Sequence, residues 1–252
     1  MRYLGGKSRT AKQIAGLLNT MRQDGQAYWE PFCGACWVTQ YIRGDGPNYA
    51  SDSNAALIAM WQKLQEGWIP PGVVSEAEHA AAKRGEYPLH LEAFIRFGCG
   101  FGGDWDGGYA RGNSSNYAAQ SQRSLLAKLG KLRPFTFFQA DFMTTDPPGS
   151  SCLIYCDPPY NSTTGYGAVE PFDSSAFWRR VVGLEGQGHT VIVSEYHAPP
   201  GFTSVLEMRT KTDMHTTNGK APRIERLFRY GNRPKFQLTM WDIATGGPNV
   251  RY

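Results

Sequence analysis

The segment Asp157-Pro158-Pro159-Tyr160 follows directly on the apolar run Cys152-Leu153-Ile154-Tyr155-Cys156. Two consecutive prolines fix an extended backbone and remove two N–H donors, so the turn presents carbonyl acceptors beside a carboxylate and an aromatic ring. In open α/β sheets, ligands sit at such carboxyl ends of strands. The set suits an exocyclic amino group on a nucleobase: Asp157 and the Pro158 carbonyl accept its two N–H bonds while Tyr160 stacks on the ring. The lone pair of such an amine is delocalised into the ring. Two fixed acceptors favour a tetrahedral nitrogen with the lone pair directed outward, so the chemistry is orientation and electrostatics more than strong-base catalysis. The same tetrapeptide also serves simply to end a strand, and its meaning depends on what else the chain supplies.

A second group of residues supplies a partner for it. Tyr28-Trp29-Glu30-Pro31-Phe32-Cys33-Gly34 has the strand-to-turn pattern in which backbone approaches a ligand closely, and Asp52 ends the next strand with a carboxylate suited to ribose hydroxyls. The pair describes a nucleoside site. It is equally compatible with an ordinary Rossmann-like turn, because Gly-x-Gly-x-x-Gly is absent. Cys33 and Cys36 lack a second Cys or His pair at ligand spacing, so no metal site is expected. Five cysteines, at 33, 36, 99, 152 and 156, form no regular framework and fit a reducing compartment.

The elements that position these residues follow from periodicity and breakers. Ser8 or Thr10 caps a helix continuing to Met21 with Ile14, Leu17 and Leu18 on one face. Residues 27–32 read as a strand, Cys36 to Arg43 as a helix, 48–51 as a second strand and 54–65 as a second helix. That alternation opens a parallel α/β sheet. Pro70-Pro71-Gly72 breaks it, and the chain to about Arg133 has helical stretches without a clear buried strand. Strands return at 135–140, 152–156 and 190–194, with a helix over 172–184 capped by Asp173. Phe202 to Tyr230 alternates as an antiparallel pair around Asn218-Gly219-Lys220.

Two stretches carry features of a nucleic-acid surface. Eight Lys and Arg face three Asp and Glu between Val205 and Lys235, more bias than the whole-chain charge of +4 implies, which makes Lys220 and Arg223 candidates for phosphate contact. Seven glycines between Gly98 and Gly112 are interleaved with Phe101, Trp105, Tyr109 and Arg111. There Arg111 is a candidate for reading base edges. Each stretch is also readable as plain solvated surface or a flexible loop with local aromatic packing. No apolar run approaches the roughly 20 residues of a membrane helix, and the N-terminus lacks a secretion signal, so the chain reads as cytoplasmic, with no membrane association and no obligate protein partner.

In this order the motifs resemble the Dam-type, D12 class (alpha group) of DNA adenine-N6 methyltransferases. Its aromatic-x-Gly-Gly-Lys opening is matched by Tyr3-Leu4-Gly5-Gly6-Lys7, its Glu-Pro-Phe-x-Gly by Glu30 to Gly34, its acidic second-strand residue by Asp52, its Asp-Phe pair by Asp141-Phe142, and its Asp-Pro-Pro-Tyr by 157–160. A late Asn-Gly segment before an apolar strand is similar to Asn218-Gly219 through Phe228. Gly34 is followed by Ala35, Cys36 and Trp37, where many members continue with another glycine.

The resemblance implies S-adenosyl-L-methionine as cofactor, contacted by Tyr3, Lys7, Asp52 and Asp157, with Glu30, Phe32 and Gly34 shaping its methionine end and Asp141-Phe142 near its adenine. Asp157, Pro158, Pro159 and Tyr160 would hold an adenine flipped out of DNA. The expected fold is α/β, a Rossmann-like methyltransferase sheet with one antiparallel strand. The expected catalytic domain is 1–66 and 135–252, with 67–134 a small, mostly helical target-recognition insertion. The same acceptor geometry would serve cytosine N4 or adenine in RNA, although related cytosine-N4 enzymes usually carry Ser at the position of Asp157. A silent nucleic-acid-binding protein of this fold is the alternative from another class, which the intact Lys7, Asp157 and Tyr160 disfavour.

Overall fold

The computed structural model describes residues 1–112, 115–159, 172–210 and 223–231. Its elements are α1 (Ala11–Met21), β1 (Ala27–Glu30), β2 (Asn48–Asp52), α2 (Ala55–Gln65), α3 (Glu76–Lys83), α4 (Leu89–Cys99), α5 (Tyr117–Leu132), β3 (Phe135–Gln139), β4 (Cys152–Cys156), α6 (Ser174–Gly186), β5 (Thr190–Glu195), β6 (Phe202–Thr210) and β7 (Arg223–Tyr230). The seven strands among the described residues form one sheet in the order β3-β2-β1-β4-β5-β7-β6. β1 to β5 pair in parallel, and β7 pairs antiparallel to both β5 and β6. The fold is therefore the α/β class expected, with the antiparallel strand near the C-terminal end.

Strand alternation divides the core into two layers. Tyr28, Ala50, Leu153, Tyr155, Ile192 and Leu227 face a layer shared with α1, α2, α4 and α5, while Trp29, Ile154, Cys156, Val191 and Val193 face α6. β4 is buried along its whole length, as a central parallel strand covered on both faces must be. Side-chain caps fix the helix starts: Asn54 accepts from the Leu57 amide, Asn116 from Ala119 and Asp173 from Ala176. Each is worth about 1 kcal/mol relative to alanine. Thr10 occupies the cap position of α1 without a side-chain bond there.

The helix expected over Cys36–Arg43 is not formed. Only a 3-10 turn at Thr39–Tyr41 is present, because Cys36 has φ +52°, outside the helical region, and Gly34 before it has φ +47°. Residues 67–134 supply α3, α4 and α5, and their buried Phe94, Ile95, Phe97 and Leu125 belong to the same core layer as α1 and α2. All five cysteines are buried free thiols. No helix among the described residues is long and apolar enough to cross a membrane.

Candidate active site

From β1 the chain runs outward to β2 and β3 on one side, and from β4 outward to β5 on the other. The carboxyl ends of β1 and β4 thus flank the point where strand order reverses, the ligand-binding crevice of open α/β sheets. Asp157 stands immediately beyond β4 and is half-buried. Lys7 Nζ lies 2.7 Å from Asp157 Oδ1 and 3.2 Å from Glu225 Oε1, and donates to the Gly5 carbonyl at 3.3 Å. Burial alone would lower the Lys7 ammonium, but the Asp157 and Glu225 carboxylates outweigh it and its pKa is raised. The N-terminal Gly-Gly-Lys segment is thereby brought onto the Asp-Pro-Pro turn, 150 positions away in the chain.

The turn after β1 forms the other wall. The Gly34 amide donates to Asp52 Oδ2 at 3.1 Å, and the Asn54 amide to Asp52 Oδ1 at 3.0 Å. Burial pushes the Asp52 carboxyl up to about 6, against those two bonds. A Cβ on Gly34 would stand 2.8 Å from Tyr3 Cε1, so the glycine admits the Tyr3 ring. Trp61 Nε1 donates to the Gly34 carbonyl at 2.9 Å. Behind the turn, Glu30 Oε2 accepts from the Tyr28 and Thr39 hydroxyls, both at 2.9 Å. Burial raises the Glu30 carboxyl to about 8; the two hydroxyls pull it down and Asp157 pushes it up.

Asp141 and Phe142 follow β3. The Ala140 amide donates to the Asp52 carbonyl at 3.1 Å, which brings Asp141 to the same edge of the sheet. Asp141 is exposed, and its Oδ1 accepts from the Met143 amide at 2.9 Å. Phe142 is buried, packed 5.4 Å from Phe32 and 5.4 Å from Phe177 between ring centroids. Pro158 is buried and Pro159 half-buried. Tyr160 and Lys220 lie outside the described residues, as do Asn218 and Gly219, where a turn is expected. Arg223 opens β7, but its side chain is likewise outside them.

Arg111 is exposed and paired in a fork with Glu76, well away in the chain from the strand-end residues. Of the basic C-terminal stretch, Arg226 pairs with Glu207 at 2.8 Å and Arg229 with Glu185 at 3.5 Å. Those two arginines brace the sheet edge and α6.

Sequence reasoning missed Glu225, Ser194 and Glu195. Glu225 is 5% exposed, and besides Lys7 it accepts from Ser194 Oγ at 2.7 Å. Glu195, the last residue of β5, has its carboxyl raised to about 7 by burial, against the Tyr196 amide bond, with Asp157 and Glu225 adding to the rise and Lys7 opposing it. A signal for Glu225 existed: it alternates with Leu227 on the inward face of a strand, where a carboxylate demands a buried partner. Lys7 is thus the ammonium at the centre of a cluster in which Asp157 and Glu225 are its carboxylate partners.

Residues 3–92 match the family model described as D12 class N6 adenine-specific DNA methyltransferase. The match spans Tyr3 to Lys7, Glu30 to Gly34 and Asp52 and ends in α4. The match supports methyltransferase activity. No curated protein matches the chain. Among solved structures the chain is similar to a Pyrococcus horikoshii protein provisionally described as an RNA methyltransferase, at 9% identity over 88% of this chain and 83% of that one, TM-score 0.43. It is also similar to Thermoplasma acidophilum 1320, at 9% identity over 88% and 97%, TM-score 0.41, and to precorrin-6y C5,15-methyltransferase of Geobacter metallireducens, at 10% identity over 86% and 87%, TM-score 0.37.

Proposed function

We propose that this protein is a DNA methyltransferase that transfers the methyl group of S-adenosyl-L-methionine to the N6 amino nitrogen of adenine. The observation that carries the reading is the Lys7–Asp157 contact of 2.7 Å, which joins the family-matched N-terminal segment to the amine-holding turn at the strand-order reversal. The donor set suits the cofactor. Its sulfonium and ammonium are cations, and the Asp52, Asp157 and Glu225 carboxylates outnumber Lys7 at the ends of the strands. Asp52 retains lone pairs for ribose hydroxyls beyond the two amides it already accepts, since each carboxylate oxygen offers two. Gly34 and Tyr3 shape the methionine end, Asp141 and Phe142 lie toward the adenine end, and Phe32 closes the wall between them.

When bound, the cofactor supplies an electrophilic methyl group. The chain's own part is to present the amine. Asp157 and the Pro158 carbonyl accept its two N–H bonds, Pro159 keeps the turn free of competing donors, and Tyr160 stacks on the flipped base. Lys7 holds the Asp157 carboxylate in place, and Glu225 with Ser194 holds Lys7. Residues 67–134 act as the target-recognition segment within a catalytic body of 1–66 and 135–252. Arg111 reads base edges once released from Glu76, and Lys220 and Arg223 contact phosphates. The buried free thiols agree with work in the cytoplasm.

The test is incubation of the purified protein with methyl-labelled S-adenosylmethionine and unmodified duplex DNA, RNA or neither, followed by nucleoside analysis. Label in N6-methyladenine from DNA is the expected result. Label confined to N4-methylcytosine, or to RNA, would overturn the substrate.

A further inference from the structure

Lys128 lies on α5, is 2% exposed, and reaches a turn 93 residues away in the chain. Its Nζ donates to the Ala35 carbonyl and stands 3.6 Å from the ring centroid of Trp37 and 5.9 Å from that of Trp61. An apolar side chain would fill the same space without the cost of removing an ammonium from water, so the cation must be explained by what it holds. The groups whose charge it meets are the Cys36 thiol and Glu30, with the Met1 amino group facing it as well.

What it holds is the irregular turn after β1. Cys36 has φ +52°, a conformation that side-chain-bearing residues avoid, and this is where the sequence departs from a glycine continuation. The Gly34 carbonyl is taken by Trp61 of α2 and the Ala35 carbonyl by Lys128 of α5, while the Gly34 amide is taken by Asp52. Successive carbonyls are thus anchored from the helical layer, and the Cα of Gly34 is left facing the Tyr3 ring. The Trp37 ring completes the cage around the ammonium, a cation–π contact favoured by desolvation.

We propose that Lys128 is a positioning residue for the cofactor: by anchoring the Ala35 carbonyl it fixes the Gly34–Cys36 turn, and so makes a helix of the 67–134 segment part of the S-adenosylmethionine site. The inference rests on the reading that this turn carries the methionine end of that cofactor. A substrate-independent structural role would disturb both substrates alike, whereas a positioning role acts on one.

The experiment compares the wild type with Lys128→Met, which removes donor and charge at similar length, and Lys128→Gln, which keeps an N–H donor. Calorimetric Kd for S-adenosylmethionine, KM for cofactor and DNA, kcat and the melting temperature are measured on each. The Met variant is expected to weaken cofactor binding and raise cofactor KM by at least about tenfold. Its kcat at saturation and its DNA KM stay near wild type, and the Gln variant recovers most of the lost affinity. A Met variant with unchanged cofactor Kd, or a Gln variant as impaired as Met, would overturn the proposal. So would failure of both variants to fold, which would make Lys128 purely structural. A wild type that binds no S-adenosylmethionine would sink the cofactor reading itself, and this inference with it.

Discussion

The segment from Tyr3 to Lys7 runs between two glycine-bearing loops that make room for it in different ways. At Gly34 the missing Cβ admits a side chain, because a methyl there would stand 2.8 Å from Tyr3 Cε1. At Gly103, in the loop after α4, it admits backbone, since the methyl would stand 2.6 Å from the Arg2 carbonyl carbon and 2.6 Å from the Tyr3 nitrogen. The Leu4 amide also donates to the Gly103 carbonyl at 3.0 Å. A ring can swing aside and a main chain cannot. Gly34 therefore sets where the Tyr3 ring lies, whereas Gly103 sets the path of the chain that carries it.

Of the substitutions in these loops, Gly103→Ala is expected to have the largest effect. A left-handed φ of +71° and a clash with backbone together predict a loss of about 2–5 kcal/mol in urea unfolding. A loss below about 1 kcal/mol would mean that the N-terminal segment is not held by this loop.

The same contrast of buried site and outer segment extends to charge. The Glu30 carboxyl is raised to about 8 by burial, while the exposed Glu78 and Glu86 of the 67–134 segment are lowered, Glu78 by the Ser75 amide and Glu86 by Arg84. A carboxyl raised in the folded state gives stability that is full below its unfolded value near 4.5 and is lost as pH rises through about 8. Wild-type stability should therefore fall across that window by an amount on the order of a few kcal/mol. Glu30→Gln should flatten the fall, and an unchanged slope would place its origin elsewhere.

Gly34→Ala should cost less stability than Gly103→Ala, about 1–2 kcal/mol from its φ of +47°, because the Tyr3 ring can yield. Its effect should appear instead as cofactor affinity about tenfold weaker. Adding Tyr3→Ala should not weaken affinity by the sum of the two single changes, since they remove one shared contact. Additivity would separate the residues. The smallest effect belongs to Gly102→Ala. Its φ is +69° but nothing stands within 4 Å of the added methyl, so only a conformational cost of about 1–2 kcal/mol is expected, with cofactor affinity unchanged.

The local grammar of the chain predicted much of this. The Asp173 cap, the fully apolar β4 and the antiparallel pairing of β6 with β7 are each set within a few residues, and the structure has them. The Cys36–Arg43 helix failed because a helical pattern cannot register a left-handed Cys36, whose turn is held by Trp61 and Lys128 from two other elements. Lys128 itself reads as an ordinary surface lysine of an amphipathic helix until the partner 93 residues away is in view. Asp157 and Lys7 were legible as separate motifs. Their contact joins segments 150 residues apart, and Glu225 reaches Lys7 only because β7 inserts antiparallel beside β5.

The role proposed for Asp157 is to hold the target amine at the strand-order reversal. It is tested most directly by methyl transfer to unmodified duplex DNA by Asp157→Ala, with folding checked by the melting temperature and cofactor supplied at saturation. A loss of at least about 10²-fold in transfer by a folded protein is expected, the scale of removing one preorganised electrostatic contact to the reacting group. Transfer near the wild-type rate by the folded variant would contradict it.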